Sequence, residues 1–229
     1  MTVPLHTVLD GPADAPALVL LNSIGTTTVT WEAQISALAE EFRVIRIDAR
    51  GHGHSSPAPA GATTIADLGT DVLTVLDRLG VDRAHLAGLS LGGMTALWIA
   101  THHPNRISRL ALLCTSAHPG RPDTWLERAA AVRDSGFSGI TEQVVSRWIT
   151  PELRQRDPVL VQTLAAQLAG TDPESYAQCC EVLAHLDLRP DLTRVAAPTL
   201  IIAGAQDQAL PVDHARFSAP VSAGHGWKY

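Results

Sequence analysis

The stretch AHLAGLSLGGMTALW, residues 84–98, decides how this chain folds. It opens as a short apolar run, AHLAGLS at 84–90, and continues as a helical pattern that must end before Pro104. The residue preceding a proline avoids the α region. Between the two lies Gly88-Leu89-Ser90-Leu91-Gly92, a Gly-x-Ser-x-Gly pentapeptide. Alone it is a modest signal. Placed between a strand and a helix it has the context of a nucleophile elbow, in which a serine sits on a sharp, strained turn. The glycines are needed because the turn closes only around small neighbours. The helix that starts beneath the serine presents the positive end of its dipole to developing negative charge. An ordinary βα turn with a capping serine is the bland alternative, and the strand–turn–helix context speaks against it.

Working outward, four more apolar runs resemble the first: ALVLLN (17–22), FRVIRID (42–48), RLALLCT (109–115) and PTLIIAG (198–204). Each is nearly continuous in apolar residues, as strands buried on both faces are. Between them lie helical patterns, the clearest over 63–80. There Ile65, Leu68, Val72, Leu76 and Leu79 share one face, Thr64 and Asp67 form a capping box, and Gly80 ends the helix. Strands alternating with helices predict an α/β fold with a doubly wound, mostly parallel sheet. The rhythm stops after Thr115. From 119 to 190 only helical segments occur, so a helical cap is expected there, with the core formed by 1–118 and 191–229.

Composition bounds the function. The chain has 229 residues, 45% hydrophobic and 17% charged, with a formal net charge of −6. This suits a globular domain that buries a sizeable core. No basic stripe is present, which argues against nucleic acid and anionic membranes as partners. The three cysteines, Cys114, Cys179 and Cys180, form no C-x-x-C pair. A disulfide framework or zinc site is not expected, and a reducing cytoplasm fits. The N-terminus MTVPLHTVLDG has neither a basic nor an apolar segment of the secretory kind. Oligomeric state is not legible.

Acyl-transfer chemistry needs backbone donors aimed at the oxyanion. One is expected from Leu91, the residue after Ser90. The second is expected from the loop after the first core strand, LNSIGTT, where Ile24 is assigned. The strand PTLIIAG runs into AQDQALP, which places Asp207 just beyond a strand's C-terminal end, where open α/β sheets carry their chemistry. The glycine-rich DARGHGHSS (48–56) holds His52 and His54 but lacks the spacing of a phosphate loop or metal site, and reads as a structural turn. Trp125 and Tyr176 in the cap read as core.

With these residues assembled, the chain resembles the 3-oxoadipate enol-lactonases of the α/β-hydrolase superfamily. The resemblance runs from about Leu9 to about Pro211 and rests on LNSIGT, RVIRIDARGHGHSS, AGLSLGGMTALW, RWITPELR, YAQCCEVLAHLDLRPDL and APTLIIAGAQDQALP. The elbow and acid segments are common to the superfamily, whereas the cap segments are particular to the enol-lactonases. The resemblance implies a hydrolase that opens a small acidic lactone through a Ser-His-Asp triad, with no metal or organic cofactor. It also implies Trp148 as a wall of the substrate pocket, with Arg147 as a second candidate, since an arginine suits a substrate carboxylate. A generic esterase or cofactor-free perhydrolase is the rival enzyme reading. A catalytically impaired hydrolase fold that only binds a small acid is the rival of another class.

The tail DHARFSAPVSAGHGWKY (213–229) carries the open question. The family expects a helix and a strand between acid and histidine, together about 25 residues. Here only residues 208–224 separate Asp207 from His225, and Pro220 makes a poor strand. Three readings stand. His225 completes the triad on shortened elements; or the C-terminal helix and strand are missing and so is the base; or His214 substitutes. His225 is the residue assigned.

Overall fold

The structure, a computed structural model, describes residues 2–217. Six strands form one sheet: β1 (Thr7–Asp10), β2 (Ala17–Leu21), β3 (Arg43–Ile47), β4 (Ala84–Leu89), β5 (Ile107–Leu113) and β6 (Thr199–Ile202). Their order is β1-β3-β2-β4-β5-β6; β1 is antiparallel to β3, and all other pairs are parallel. The helices are α1 (Glu32–Leu38), α2 (Ile65–Arg78), α3 (Leu91–His102), α4 (Pro122–Ser135), α5 (Thr141–Val145), α6 (Pro151–Arg156), α7 (Pro158–Ala169), α8 (Pro173–His185) and α9 (Val212–Phe217). Helices α4–α8 all fall between β5 and β6. The five expected strands are therefore present. Strand β1 was not expected. It has four residues, lies at the sheet edge and leaves Leu9 half exposed, so it lacks the apolar continuity that marks the others.

Alternation along β2 explains how the sheet is covered. Val19 and Leu21 join the core under α2 and α3, while Leu18 and Leu20 point to the opposite face with Trp31. Helix α3 is buried all round because it lies between the sheet and α2. Gly69 makes that packing possible: a Cβ there would stand 2.1 Å from the Trp98 ring. Helix α2 begins with the expected capping box of Thr64 and Asp67, and Gly80 follows it with φ +65°. Each leucine that α2 and α3 bury contributes about 1.5–3 kcal/mol to the core. On β6, by contrast, Leu200 and Ile202 are each about half exposed.

The strand order reverses at β2. The chain moves from β2 outward to β3, then returns through α2 to β4 on the other side of β2. In open α/β sheets the crevice at the C-terminal ends of such a strand pair is where ligands bind. The loop after β2 and the turn after β4 meet there. Among the described residues no helix is long and apolar enough to cross a membrane, and no group of three or more His, Cys, Asp or Glu is placed to hold a metal ion.

Candidate active site

Ser90 stands between β4 and α3 with φ 53° and ψ −115°. Such a conformation costs a non-glycine residue about 1–3 kcal/mol and persists only where its surroundings enforce it. The enforcement is visible. The Ser90 N–H donates to Leu113 O at 3.0 Å, and Ser90 O accepts from Thr115 Oγ1 at 2.7 Å and Met94 N at 3.0 Å. A Cβ on Gly88 would lie 2.3 Å from Gly92 O, so the turn closes only around glycine.

Gly92 joins the two segments from which the oxyanion donors are expected. Its N–H donates to Asn22 O at 3.0 Å, which ties the elbow to the loop after β2. A Cβ on Gly92 would lie 2.4 Å from Leu21 O and 2.7 Å from Asn22 O, both backbone atoms. Gly92→Ala is therefore expected to push the two loops apart, costing about 1–3 kcal/mol of stability. The same change should lower kcat more than it raises KM, because the donors are needed most in the transition state. Urea unfolding and steady-state kinetics together check this.

Within the β2 loop the N–H groups of residues 25–28 are committed. Gly25 N–H donates to His52 Nε2 (2.9 Å), Thr26 N–H to Ser23 O (3.2 Å), Thr27 N–H to Gln167 Oε1 (2.8 Å) and Thr28 N–H to Asp48 Oδ1 (2.7 Å). The N–H of Ile24 has no partner among the described residues, and neither does that of Leu91, the first residue of α3. The first N–H groups of a helix have no intrahelical acceptor. Both N–H groups lie on segments joined by the Gly92–Asn22 bond.

Three side chains that sequence reasoning did not connect to this loop hold it in place. Asp48, almost fully buried, accepts from Thr28 N, from Asn22 Nδ2 (3.4 Å) and from the His6 ring (2.8 Å). Gln167, on helix α7 of the insertion, accepts from both the N–H and the hydroxyl of Thr27. His52 is fully buried; its Nδ1 lies 2.9 Å from Arg50 O while its Nε2 faces the Gly25 N–H. A carbonyl only accepts and an amide N–H only donates, so the ring is neutral with its proton on Nδ1. The turn reading of this segment holds. The long-range bond to Gly25 has no signal in the local sequence.

Burial is the main cause that lowers the pKa of His52 below 6.5, against the Arg50 carbonyl and the negative charges of Asp48 and Asp172, which raise it. The unfolded chain thus binds a proton near pH 6.5 that the folded chain refuses. The stabilisation from this group is full above that pH and is lost as pH falls below it. Replacing His52 by alanine should cost about 1–3 kcal/mol at pH 7, since the Gly25 N–H is left without its partner. The gap between the two proteins should narrow at pH 5. Urea midpoints at the two pH values measure it.

Asp207 lies in the turn after β6. Its Oδ1 accepts from Ala209 N and Leu210 N, each at 2.9 Å, and its side chain also engages Cys114 at the end of β5. Burial and the Asp207 charge raise the Cys114 thiol's pKa, outweighing the Gly204 backbone bond that lowers it, so the group stays a neutral thiol. The Trp148 ring reaches the β2 loop: its Cη2 would stand 3.4 Å from a Cβ on Gly25. Arg147 is half-buried, and its side chain makes no hydrogen bond or ion pair among the described residues. His214 Nδ1 bonds Ser116 Oγ at 3.1 Å. His225 lies outside the described residues, and among the described residues no histidine bonds Ser90 Oγ.

Comparison with known proteins adds four findings. The model of the alpha/beta hydrolase fold family matches residues 16–220. The 3-oxoadipate enol-lactonase 2 of Acinetobacter baylyi is 41% identical over 215 residues, covering 94% of this chain and 80% of the relative. Among solved structures, the enol-lactonase of Burkholderia xenovorans superposes with a TM-score of 0.92 at 40% identity, covering 95% of this chain and 84% of that one. A hydrolase from Pseudomonas aeruginosa superposes at 0.91 with 44% identity, covering 95% and 82%.

Proposed function

This chain belongs to the alpha/beta hydrolase fold family and is a hydrolase, and from that premise we propose that it opens the ring of 3-oxoadipate enol-lactone. The observation that carries the reading is the pairing of a strained Ser90 with two uncommitted N–H groups, Ile24 and Leu91, on loops locked together at Gly92. The substrate follows from the enol-lactonase relatives, whose likeness extends through the helical insertion.

In this mechanism Ser90 Oγ gives its proton to His225 and attacks the lactone carbonyl. The oxyanion is held by the N–H groups of Leu91 and Ile24. The ring C–O bond then breaks. The departing enol oxygen takes the proton from the imidazolium and is a better leaving group than a simple alkoxide. Water, deprotonated by the same imidazole, attacks the acyl-enzyme, and Ser90 recovers its proton. The released enol tautomerises to the ketone. Asp207, pinned by two backbone donors, fixes the imidazole's tautomer and stabilises its cation. Trp148 forms a wall of the pocket, and Arg147 is a candidate partner for the substrate carboxylate.

The test is the loss of enol-lactone, followed by ultraviolet absorbance, with the purified chain against buffer. Turnover well above background is expected. Rapid cleavage of simple aryl esters with the enol-lactone untouched would replace this reading by that of a general esterase.

A further inference from the structure

Ile24 lies in a turn that closes on itself. The N–H and the hydroxyl of Thr26 both donate to Ser23 O, at 3.2 and 3.0 Å. Gly25, the third residue of the turn, has φ +75°. That is the mark of a type II turn, whose closing bond runs between its first and fourth residues and leaves the N–H of the second out of it. The second residue is Ile24. Four residues closed in this way move together, so the Ile24 N–H is aimed by whatever grips the turn from outside.

The grip comes from two sides. From the sheet side, His52 Nε2 accepts the Gly25 N–H at 2.9 Å and Asp48 Oδ1 accepts the Thr28 N–H at 2.7 Å. From the other side come helices that lie between β5 and β6. Leu168 of α7, Tyr176 of α8 and Trp148 crowd Gly25, with atoms 2.6, 3.1 and 3.4 Å from where its Cβ would stand. Such apolar contact is non-directional and leaves the turn free to slide. Gln167, next to Leu168 on α7, adds direction. Its Oε1 accepts from the Thr27 N–H at 2.8 Å and the Thr27 hydroxyl at 3.1 Å, with the Thr30 hydroxyl at 3.4 Å. Thr27 is the residue that directly follows the turn.

We propose that Gln167 is a positioning residue for acyl transfer: through Thr27 it holds the turn so that the Ile24 N–H meets the oxyanion. The proposal rests on the reading of Ile24 as an oxyanion donor, whichever ester or lactone is cleaved. An amide oxygen suits the task. It has two lone pairs for the two donors of Thr27, and it brings no charge to a place where negative charge must develop.

The test uses the full chain and two substrates, the enol-lactone and para-nitrophenyl acetate, with kcat taken per folded molecule. Deleting an oxyanion donor costs about 10²- to 10³-fold in kcat, and a donor kept but misaimed costs less. Gln167→Leu should therefore lower kcat about tenfold on both substrates and change KM by less than about twofold; if it does not fold, Gln167→Ala takes its place. Gln167→Glu keeps an acceptor oxygen toward Thr27 and should restore kcat to within about threefold. Ile24→Pro supplies the sharper arm. Proline is favoured at the second position of a type II turn and has no N–H, so it deletes the donor and keeps the turn. It should lower kcat about 100-fold. In that background Gln167→Leu should cost less than about twofold, because the group it aims is gone. An undiminished tenfold loss there would place the effect of Gln167 elsewhere and overturn the proposal. So would an unchanged kcat in Gln167→Leu, or a glutamate variant as impaired as the leucine one. Ile24→Pro with the kcat of the unaltered chain would remove the oxyanion assignment and the proposal together. If the chain cleaves the aryl ester and not the enol-lactone, the substrate reading fails, while the same pattern across the variants still upholds Gln167.

Discussion

Ser90→Ala is expected to lower kcat by about 10⁴- to 10⁶-fold, the scale seen when a catalytic serine is removed from a triad that works as a unit. Labelling by a fluorophosphonate should vanish with it, since the reagent needs an activated hydroxyl. Stability should hardly move, because alanine keeps the Cβ and the strained backbone at φ 53°. Ser90→Gly separates the two effects. It removes the same oxygen, so activity is lost equally. It also relieves a conformation that costs a non-glycine residue about 1–3 kcal/mol, so the urea midpoint should rise. Part of that gain is offset by the extra freedom glycine brings to the unfolded chain. An inactive but stabilised glycine variant would show that the strain at the elbow serves the nucleophile's position. Two variants with the activity of the unaltered chain would remove Ser90 from the chemistry altogether.

Much of this site was legible because its local parts obey local rules. The five core strands announce themselves by unbroken apolar runs, and the capping box of α2 stands in the sequence as Thr64 and Asp67. The elbow's glycines could be justified sterically before any contact was known, and the contacts of Gly88 and Gly92 with backbone atoms supply the reason. What failed to show was whatever acts across long sequence distance. Gln167 reaches Thr27 over 140 positions, and His52 reaches Gly25 over 27. Neither bond has a periodicity or motif. Tyr176 illustrates a different limit. As a tyrosine on the inner face of a helix it reads as core, and it is buried as core is. Its ring edge also stands beside the Gly25 position of the β2 loop, a contact that no local pattern announces. Strand β1 was missed because an edge strand of four residues has too little buried surface to leave a pattern.

His225→Ala is expected to lower kcat by about 10⁴-fold, the upper range for loss of a general base. His225 is what remains when the other nine of the chain's ten histidines are placed. His52 is buried and neutral, with both ring nitrogens engaged on backbone groups. His6 is bound to Asp48, and His118 to Leu186 O. His54 packs against His6 in the loop after β3. His85 sits near the start of β4, at the opposite end of that strand from Ser90. His102 and His103 close α3, and His185 closes α8. His214 is the remaining rival, and its ring is turned to Ser116. The Ser116 hydroxyl donates to His118 O, so toward His214 it accepts, which places the His214 proton on Nδ1. His214→Ala should therefore cost no more than about tenfold in kcat, through a lost hydrogen bond rather than a lost base. The pH profile adds an independent reading: with a histidine base, kcat/KM falls as pH drops through about 6.5, because only the neutral ring accepts the serine's proton. The reverse pattern, with His214→Ala silent in turnover and labelling and His225→Ala active, would move the base to the Ser116-bound histidine and make the tail dispensable for chemistry.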